Sequence, residues 1–389
     1  MSRPAAAGGE PAFAPPLPFV RPTVPALERV VARLSTSYER GMLTNGPLVR
    51  EFEERAAEKL DVGHVVAVSS CTAGLMLVLR VLAPDGPVVL PSFTFSASAH
   101  AVVWNGLEPR FVECDPASFQ ADPASVAARI EGAGAVLATH VFGAPCDVEA
   151  LESIAAGAGI PILFDSAHAF GAFRGDRAVG GFGAAEIFSL SPTKVVVAGE
   201  GGVVATRDVA LADALRIGRD YGNPGDYDTR FVGLNARMSE FHAAIALESL
   251  AGLDERMVER RRVVDRYRNG IAELPGVVAQ HVDACDRSTY KDFTIAIDEK
   301  AFGLSRDVVV KALRADGIDT RCYFSPPVHR QHSYRDVAPY DLPVTDEVAS
   351  RVVSLPIYAS LSDDQVDTVT RVLGALHRHA DEVRTDDEA

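Results

Sequence analysis

Residues 135–170 read AVLATHVFGAPCDVEALESIAAGAGIPILFDSAHAF, and the order of residue types in that stretch decides the fold. Residues 135–140 form an apolar run too short for a helix, and turn residues follow it. Residues 148–156 carry apolar side chains at helical spacing, and 160–164 are a second short apolar run. Two strands without polar alternation, joined through a helix, predict neighbouring parallel strands buried on both faces.

The same alternation extends outward. Short β-branched runs at 64–68, 88–90, 109–112, 187–189 and 202–206 are separated by helical patterns such as 73–82 and 123–130. The expectation is an α/β fold: a large domain, residues 23–250, with a mostly parallel sheet flanked by helices. Helical periodicity at 25–34 and 47–60 marks its N-terminal segment. A long charged helical stretch at 238–274 leads into a smaller C-terminal α+β domain, residues 251–380, patterned at 292–297, 306–315, 345–353 and 362–375. Residues 1–22, rich in Pro, Ala and Gly, read as a mobile lead-in outside the fold, and 381–389 as a frayed acidic tail.

Composition narrows the function classes. The 389 residues are 47% hydrophobic and 23% charged, ordinary for a globular chain, but the formal net charge is -15. A uniformly acidic surface repels nucleic acid and anionic membranes, so neither is expected as a partner. No run reaches the roughly 18 apolar residues of a membrane span, and no secretory leader pattern is present, so a cytoplasmic location is expected. The five cysteines are odd in number and lack CxxC spacing, which suggests neither a disulfide framework nor a metal site. Lysine occurs only at positions 59, 194, 291, 300 and 311, so lysine chemistry has few candidates.

Three segments carry chemistry. In FSLSPTK (188–194), Lys194 follows an apolar strand and precedes Val195 to Val197. Such surroundings desolvate the amine and make it a nucleophile toward a carbonyl, although a lysine snorkelling at a strand end fits this segment equally well. In ILFDSAH (162–168) an apolar strand ends in Asp165, where ligands of open α/β sheets bind, with His168 three residues on. A carboxylate there suits a protonated pyridine nitrogen, and it also suits a plain helix cap. In VAVSSCTAG (66–74) a strand passes through a small polar turn into a helix, whose free N–H groups suit a phosphate or simply carry a cap. The Gly-Lys-Ser/Thr element of a Walker loop is absent, and no GxGxxG follows a strand.

In this order, and with LTNGPLVREFE (43–53), PSFTFSASAHAV (91–102), FDSAHAFGA (164–172), SLSPTKVVVAGEGG (189–202), GLNARMSEFHAAI (233–245) and RVVSLPIY (351–358) around them, the chain resembles the DegT/DnrJ/StrS sugar aminotransferases. These are fold-type-I enzymes dependent on pyridoxal 5'-phosphate. The resemblance implies that Lys194 holds the cofactor as a Schiff base and that Asp165 partners its ring nitrogen. It implies that Thr72, Ala73 and Ser189 bind the phosphate, that Phe95 stacks on the ring, and that His168 lies near the ring hydroxyl. It further implies that Asn235 reaches the cofactor phosphate of a second copy, and hence a homodimer with shared active sites. Lys291 and Arg321 are the candidate cations for an anionic nucleotide-sugar substrate.

The segment Gly199-Glu200-Gly201-Gly202 resembles that of members acting at sugar C4. The expected reaction is therefore amino transfer from glutamate, the amino-acid donor, to C4 of dTDP-4-keto-6-deoxyglucose, in deoxysugar or antibiotic biosynthesis. A 3-keto sugar nucleotide or a keto-cyclitol is the alternative acceptor. A sugar dehydratase on this scaffold would carry histidine in place of Lys194, and a regulator would need a basic DNA-binding extension. Departures at Cys71, Ser191 and Ala236 bear on which sugar is used.

Overall fold

The computed structural model describes residues 3–335, 337 and 340–387, with side chains to residue 384. Nine strands belong to the large domain: β1 (His64–Val68), β2 (Val88–Pro91), β3 (Pro109–Val112), β4 (Ala135–Thr139), β5 (Ile162–Asp165), the short pair β6 (Phe173–Arg174) and β7 (Arg177–Ala178), β8 (Ala185–Ser189) and β9 (Gly202–Thr206). Seven form one sheet in the order β1-β9-β8-β5-β4-β2-β3. β9 runs antiparallel to both β1 and β8, while the pairs β8–β5, β5–β4, β4–β2 and β2–β3 are parallel.

The central strands are apolar throughout because helices cover both faces. Successive side chains serve opposite cores: Val65, Ala67, Phe164 and Phe188 pack on one face, and Val66, Val68, Leu163 and Ile187 on the other. Helices α1 (Leu27–Glu39) and α2 (Pro47–Leu60) precede the sheet, and α3 (Cys71–Leu82), α4 (Ser96–Trp104), α5 (Pro123–Ala128), α6 (Val148–Ala158) and α7 (Val209–Gly218) connect its strands. The expected 238–274 helix is two helices, α8 (Glu240–Ala251) and α9 (Leu253–Ile271), broken at Gly252. The Ala-rich α8 is largely buried and the charged α9 is half-exposed, with Asp254 and Glu255 in its first turn, where acidic side chains favour a new helix start.

The second region holds the antiparallel sheet β10 (Val277–Ala279), β11 (Phe293–Ile297) and β12 (Val352–Leu355). Around it lie α10 (Glu299–Phe302), α11 (Arg306–Ala315), α12 (Pro343–Arg351), α13 (Asp363–Arg378) and α14 (Ala380–Asp387). Tyr267, Phe293, Ile295, Leu313, Val353 and Leu373 form its core.

Both termini depart from expectation. Leu17 and Phe19 are buried at 2% and 4% exposure, and Leu17 pairs in parallel with Ile318. Residues 3–22 therefore belong to the small domain's surface layer: their apolar side chains, sparse and without period, fill gaps that periodicity cannot reveal. The acidic segment 380–387 is helical, with Val383 buried in the same core and Arg3 paired to Glu382; residues 388 and 389 lie outside the described residues.

One fully buried carboxylate joins two segments that sequence places 190 residues apart. Glu240 accepts the N–H groups of Gly46, Leu48 and Val49, each at 3.0 Å, and the Ser37 hydroxyl at 2.8 Å. It thereby satisfies the donors at the start of α2, where Pro47 has none to offer. We expect Glu240→Ala to lower the unfolding free energy by about 3 kcal/mol, since several buried donors lose their partner at once. Urea denaturation checks this, and a loss below about 0.5 kcal/mol would refute the capping role.

Candidate active site

A cavity of about 390 Å³ opens between the carboxyl ends of the sheet strands and the small domain. Of the residues singled out in the sequence, it brings together Thr72, Phe95, Asp165, His168, Ser189, Lys194 and Lys291. Its wall also contains Ser70, Cys71, Ser191, Thr193, Glu200, Asp292, Tyr323 and Phe324, most of which sequence reasoning passed over.

Asp165 ends β5 and is 4% exposed. The Ser98 hydroxyl donates to its Oδ2 at 2.6 Å and the Ala167 N–H to its Oδ1 at 3.1 Å. Burial pushes its carboxyl above the usual carboxylate range, opposed by those two hydrogen bonds and by the charge of Lys194. No arginine or lysine forms an ion pair with it among the described residues. A buried carboxylate in that position is stabilised by a cationic group inside the cavity, and a protonated pyridine nitrogen meets that need. Ser98 was missed because a serine inside a helical pattern carries no signal of the carboxylate it will meet.

Lys194 sits in the turn after β8, its N–H donating to the Ser191 carbonyl at 3.0 Å. Burial lowers its ammonium pKa from 10.5 to about 8, with the Lys291 charge acting in the same direction. At neutral pH about a tenth of the amine is then unprotonated, hundreds of times more than at an ordinary lysine. His168, close to both lysines, is pushed well below its usual pKa, chiefly by burial, and is neutral; its ring stacks on Phe142 at 6.4 Å.

One end of the cavity is formed by the start of α3. Ser70 caps this helix: its Oγ accepts from Ala73 N–H at 3.1 Å and its carbonyl from Gly74 N–H at 3.0 Å. Ala73 N–H is thus engaged by the cap, and Ala73 is not among the residues lining the cavity. The donors that remain are the Cys71 and Thr72 N–H groups with the Thr72, Ser189, Ser191 and Thr193 hydroxyls, a set suited to a phosphate. Gly202 permits this arrangement, because a Cβ there would lie 2.6 Å from Cys71 N and 2.8 Å from the Phe188 carbonyl oxygen.

The small domain supplies the far wall. Lys291 is buried and paired with Asp292 at 2.7 Å, and Asp292 Oδ2 has no hydrogen-bond partner. Arg260, buried in α9, donates to the carbonyls of Thr289 at 3.1 Å, Lys291 at 2.9 Å and Tyr290. Lys291 N–H donates to the Phe142 carbonyl at 2.9 Å, so this segment is pinned to both domains. Arg321 does not line the cavity; it pairs with Asp319 and donates to the Thr320 carbonyl at 2.8 Å. Asn235 is exposed and also lies outside this chain's cavity, its Oδ1 accepting from Arg237 at 3.4 Å.

These residues fit pyridoxal phosphate: Asp165 could partner its ring nitrogen, Lys194 could react with its aldehyde, and the α3 start could hold its phosphate. We expect the rate at which cofactor-free protein captures pyridoxal phosphate, followed by its visible absorbance, to rise with pH through about 8. A depressed lysine is a free amine above that pH and is protonated below it. Lys291→Met removes a neighbouring cation, so the midpoint should move upward; an unmoved midpoint would exclude that coupling.

Residues 27–374 match the model of the DegT/DnrJ/EryC1/StrS aminotransferase family. The spore coat polysaccharide biosynthesis protein SpsC of Bacillus subtilis is 31% identical over 387 residues, covering 94% of this chain and 98% of that protein. The dTDP-4-amino-4,6-dideoxy-D-glucose transaminase of Escherichia coli is 31% identical over 366 residues, covering 92% and 98%. Among solved structures, DesI in the presence of its TDP-sugar product superposes with a TM-score of 0.94 at 37% identity, covering 99% of each chain. With Lys194 and Asp165 in one cavity and this likeness along the whole chain, the protein belongs to the DegT/DnrJ/EryC1/StrS aminotransferase family and is a pyridoxal-phosphate-dependent aminotransferase of its fold.

Proposed function

We propose that this enzyme transfers an amino group from glutamate to C4 of dTDP-4-keto-6-deoxyglucose. The observation that carries the reading is Lys291, a buried cation in the cavity wall of a protein with net charge -15. An anionic substrate needs such a local cation when the protein as a whole repels it. The E. coli relative's name and the TDP-sugar product in the DesI structure support a nucleotide sugar. Glu200, in the cavity wall, belongs to the segment on which the C4 preference rests.

When bound, the cofactor supplies the electron sink that lets an amino group and a proton move between donor and acceptor. The chain's part is binding and proton transfer. Asp165 keeps the ring nitrogen protonated. Lys194, once free, moves the proton, with an amine pKa near the operating pH as general acid–base work requires. Lys291 and the α3 start hold negative charge.

A homodimer is part of this proposal. Tyr38 and Phe241 pack edge to face while both remain exposed, and Met42 and Leu43 are exposed beside them in sequence; a second copy would cover such side chains. Asn235 would act toward the site of that copy. Five unpaired thiols suit the reducing cytoplasm.

Absorbance spectroscopy tests the reaction. The visible band of the cofactor-loaded enzyme should bleach with glutamate and return with dTDP-4-keto-6-deoxyglucose, and Lys194→Ala should show no such band. A band that bleaches but returns only with a 3-keto sugar nucleotide or a keto-cyclitol would replace the C4 acceptor by that one.

A further inference from the structure

The N-terminal arm reaches the cavity through one aromatic contact. Phe13 N–H donates to the Asp316 carbonyl at 3.0 Å, Leu17 N–H to the Gly317 carbonyl at 2.8 Å, and Asp319 N–H to the Leu17 carbonyl at 3.1 Å. These bonds lay residues 13–17 along the segment that leads to Tyr323. Two residues further on, the Phe19 ring, 4% exposed, meets the Tyr323 ring edge-on at 6.1 Å and 70°. The Arg321 guanidinium lies over the Phe19 ring at 5.3 Å, outside the cavity lining, and pairs with Asp319. Tyr323 lines the cavity, with Lys291 Nζ 6.0 Å from its ring.

We propose that the N-terminal arm backs the active-site wall and that Phe19, behind the cavity lining, is a positioning residue that fixes Tyr323 so that its phenol is presented to the sugar acceptor. The inference rests on the reading that a keto sugar nucleotide occupies this cavity. A tyrosine ring packed against the Phe19 ring at 6.1 Å and the Phe324 ring at 5.8 Å is restricted in its side-chain torsions before the substrate arrives. Pre-set recognition groups cost less ordering on binding than mobile ones. Lys194, Asp165 and Ser189 come from the large domain, so the arm bears on the acceptor more than on the donor. Arg321, a candidate substrate contact in the sequence, is not in the cavity lining and packs over Phe19.

The test is single-turnover absorbance on holoenzyme, with glutamate for the first half-reaction and dTDP-4-keto-6-deoxyglucose for the second. Phe19→Ala and Tyr323→Phe should each weaken acceptor binding about tenfold, the loss of one ordered polar contact, and Phe19→Ala, behind the cavity lining, should leave the glutamate step within about twofold. In the double variant the losses should not multiply, because without the phenol Phe19 has nothing to position. Phe19→Tyr should recover most of the binding. Losses that multiply, a glutamate step that falls equally in Phe19→Ala, or unchanged acceptor binding would each overturn the proposal. If wild type bleaches with glutamate but refuses this sugar, the C4 reading fails alone, and the arm is judged with dTDP-3-keto-6-deoxyglucose. A wild type that does not bleach removes both.

Discussion

A carboxylate buried without an ion-pair partner among the described residues is the constraint from which the site follows. Asp165 stands at the end of β5, where the parallel strands β4 and β8 flank it and solvent is excluded. Ser98 and Ala167 hold its oxygens, but hydrogen bonds do not neutralise charge, and burial keeps its proton affinity high. Lys194 on one side and the open cavity on the other are what remain to balance it. A cofactor that brings a cationic ring nitrogen relieves the strain that the fold accepts at this point.

Two domains share the work unequally. The large domain lines the cavity with Asp165 and Ser189 at strand ends, Lys194 in the turn after β8, Thr72 at the start of α3 and Phe95 before α4. The small domain closes the cavity with Lys291, Asp292, Tyr323 and Phe324. Segment 287–292 couples the two: Arg287 N–H donates to the Phe173 carbonyl and Thr289 N–H to the Gly143 carbonyl, while the Thr289 hydroxyl donates to the His168 carbonyl at 2.6 Å. Arg260 secures the same backbone from α9. Lys291 is thus placed by main-chain bonds to both domains, and its charge acts on Lys194 across the cavity.

The sheet was legible because strands buried on both faces must be apolar at every position, and that rule needs only neighbours in sequence. Asp165, Lys194 and the turn before α3 stood out as candidates for a related reason: each is a polar residue ending an apolar run, where a parallel sheet leaves its ligand site. The single helix expected over 238–274 failed at Gly252, since periodicity continues through a point where the axis turns. The lead-in failed because Leu17 and Phe19 are isolated apolar residues among prolines, and their partners, Ile318 and Tyr323, lie some 300 positions away.

The amino-acid sequence by itself determined the α/β layering, because that depends on local patterns of burial, and it singled out the strand-end carboxylate and the lysine through the resemblance of their segments. Only the tertiary structure decided which cations and rings reach the cavity. Lys291 enters and Arg321 stays outside the lining over Phe19, Ala73 spends its N–H on the Ser70 cap, and Ser98 turns inward to Asp165. The physical reason is that a side chain's partner is set by how distant segments pack, and hydrogen bonds across such distances leave no period in the chain.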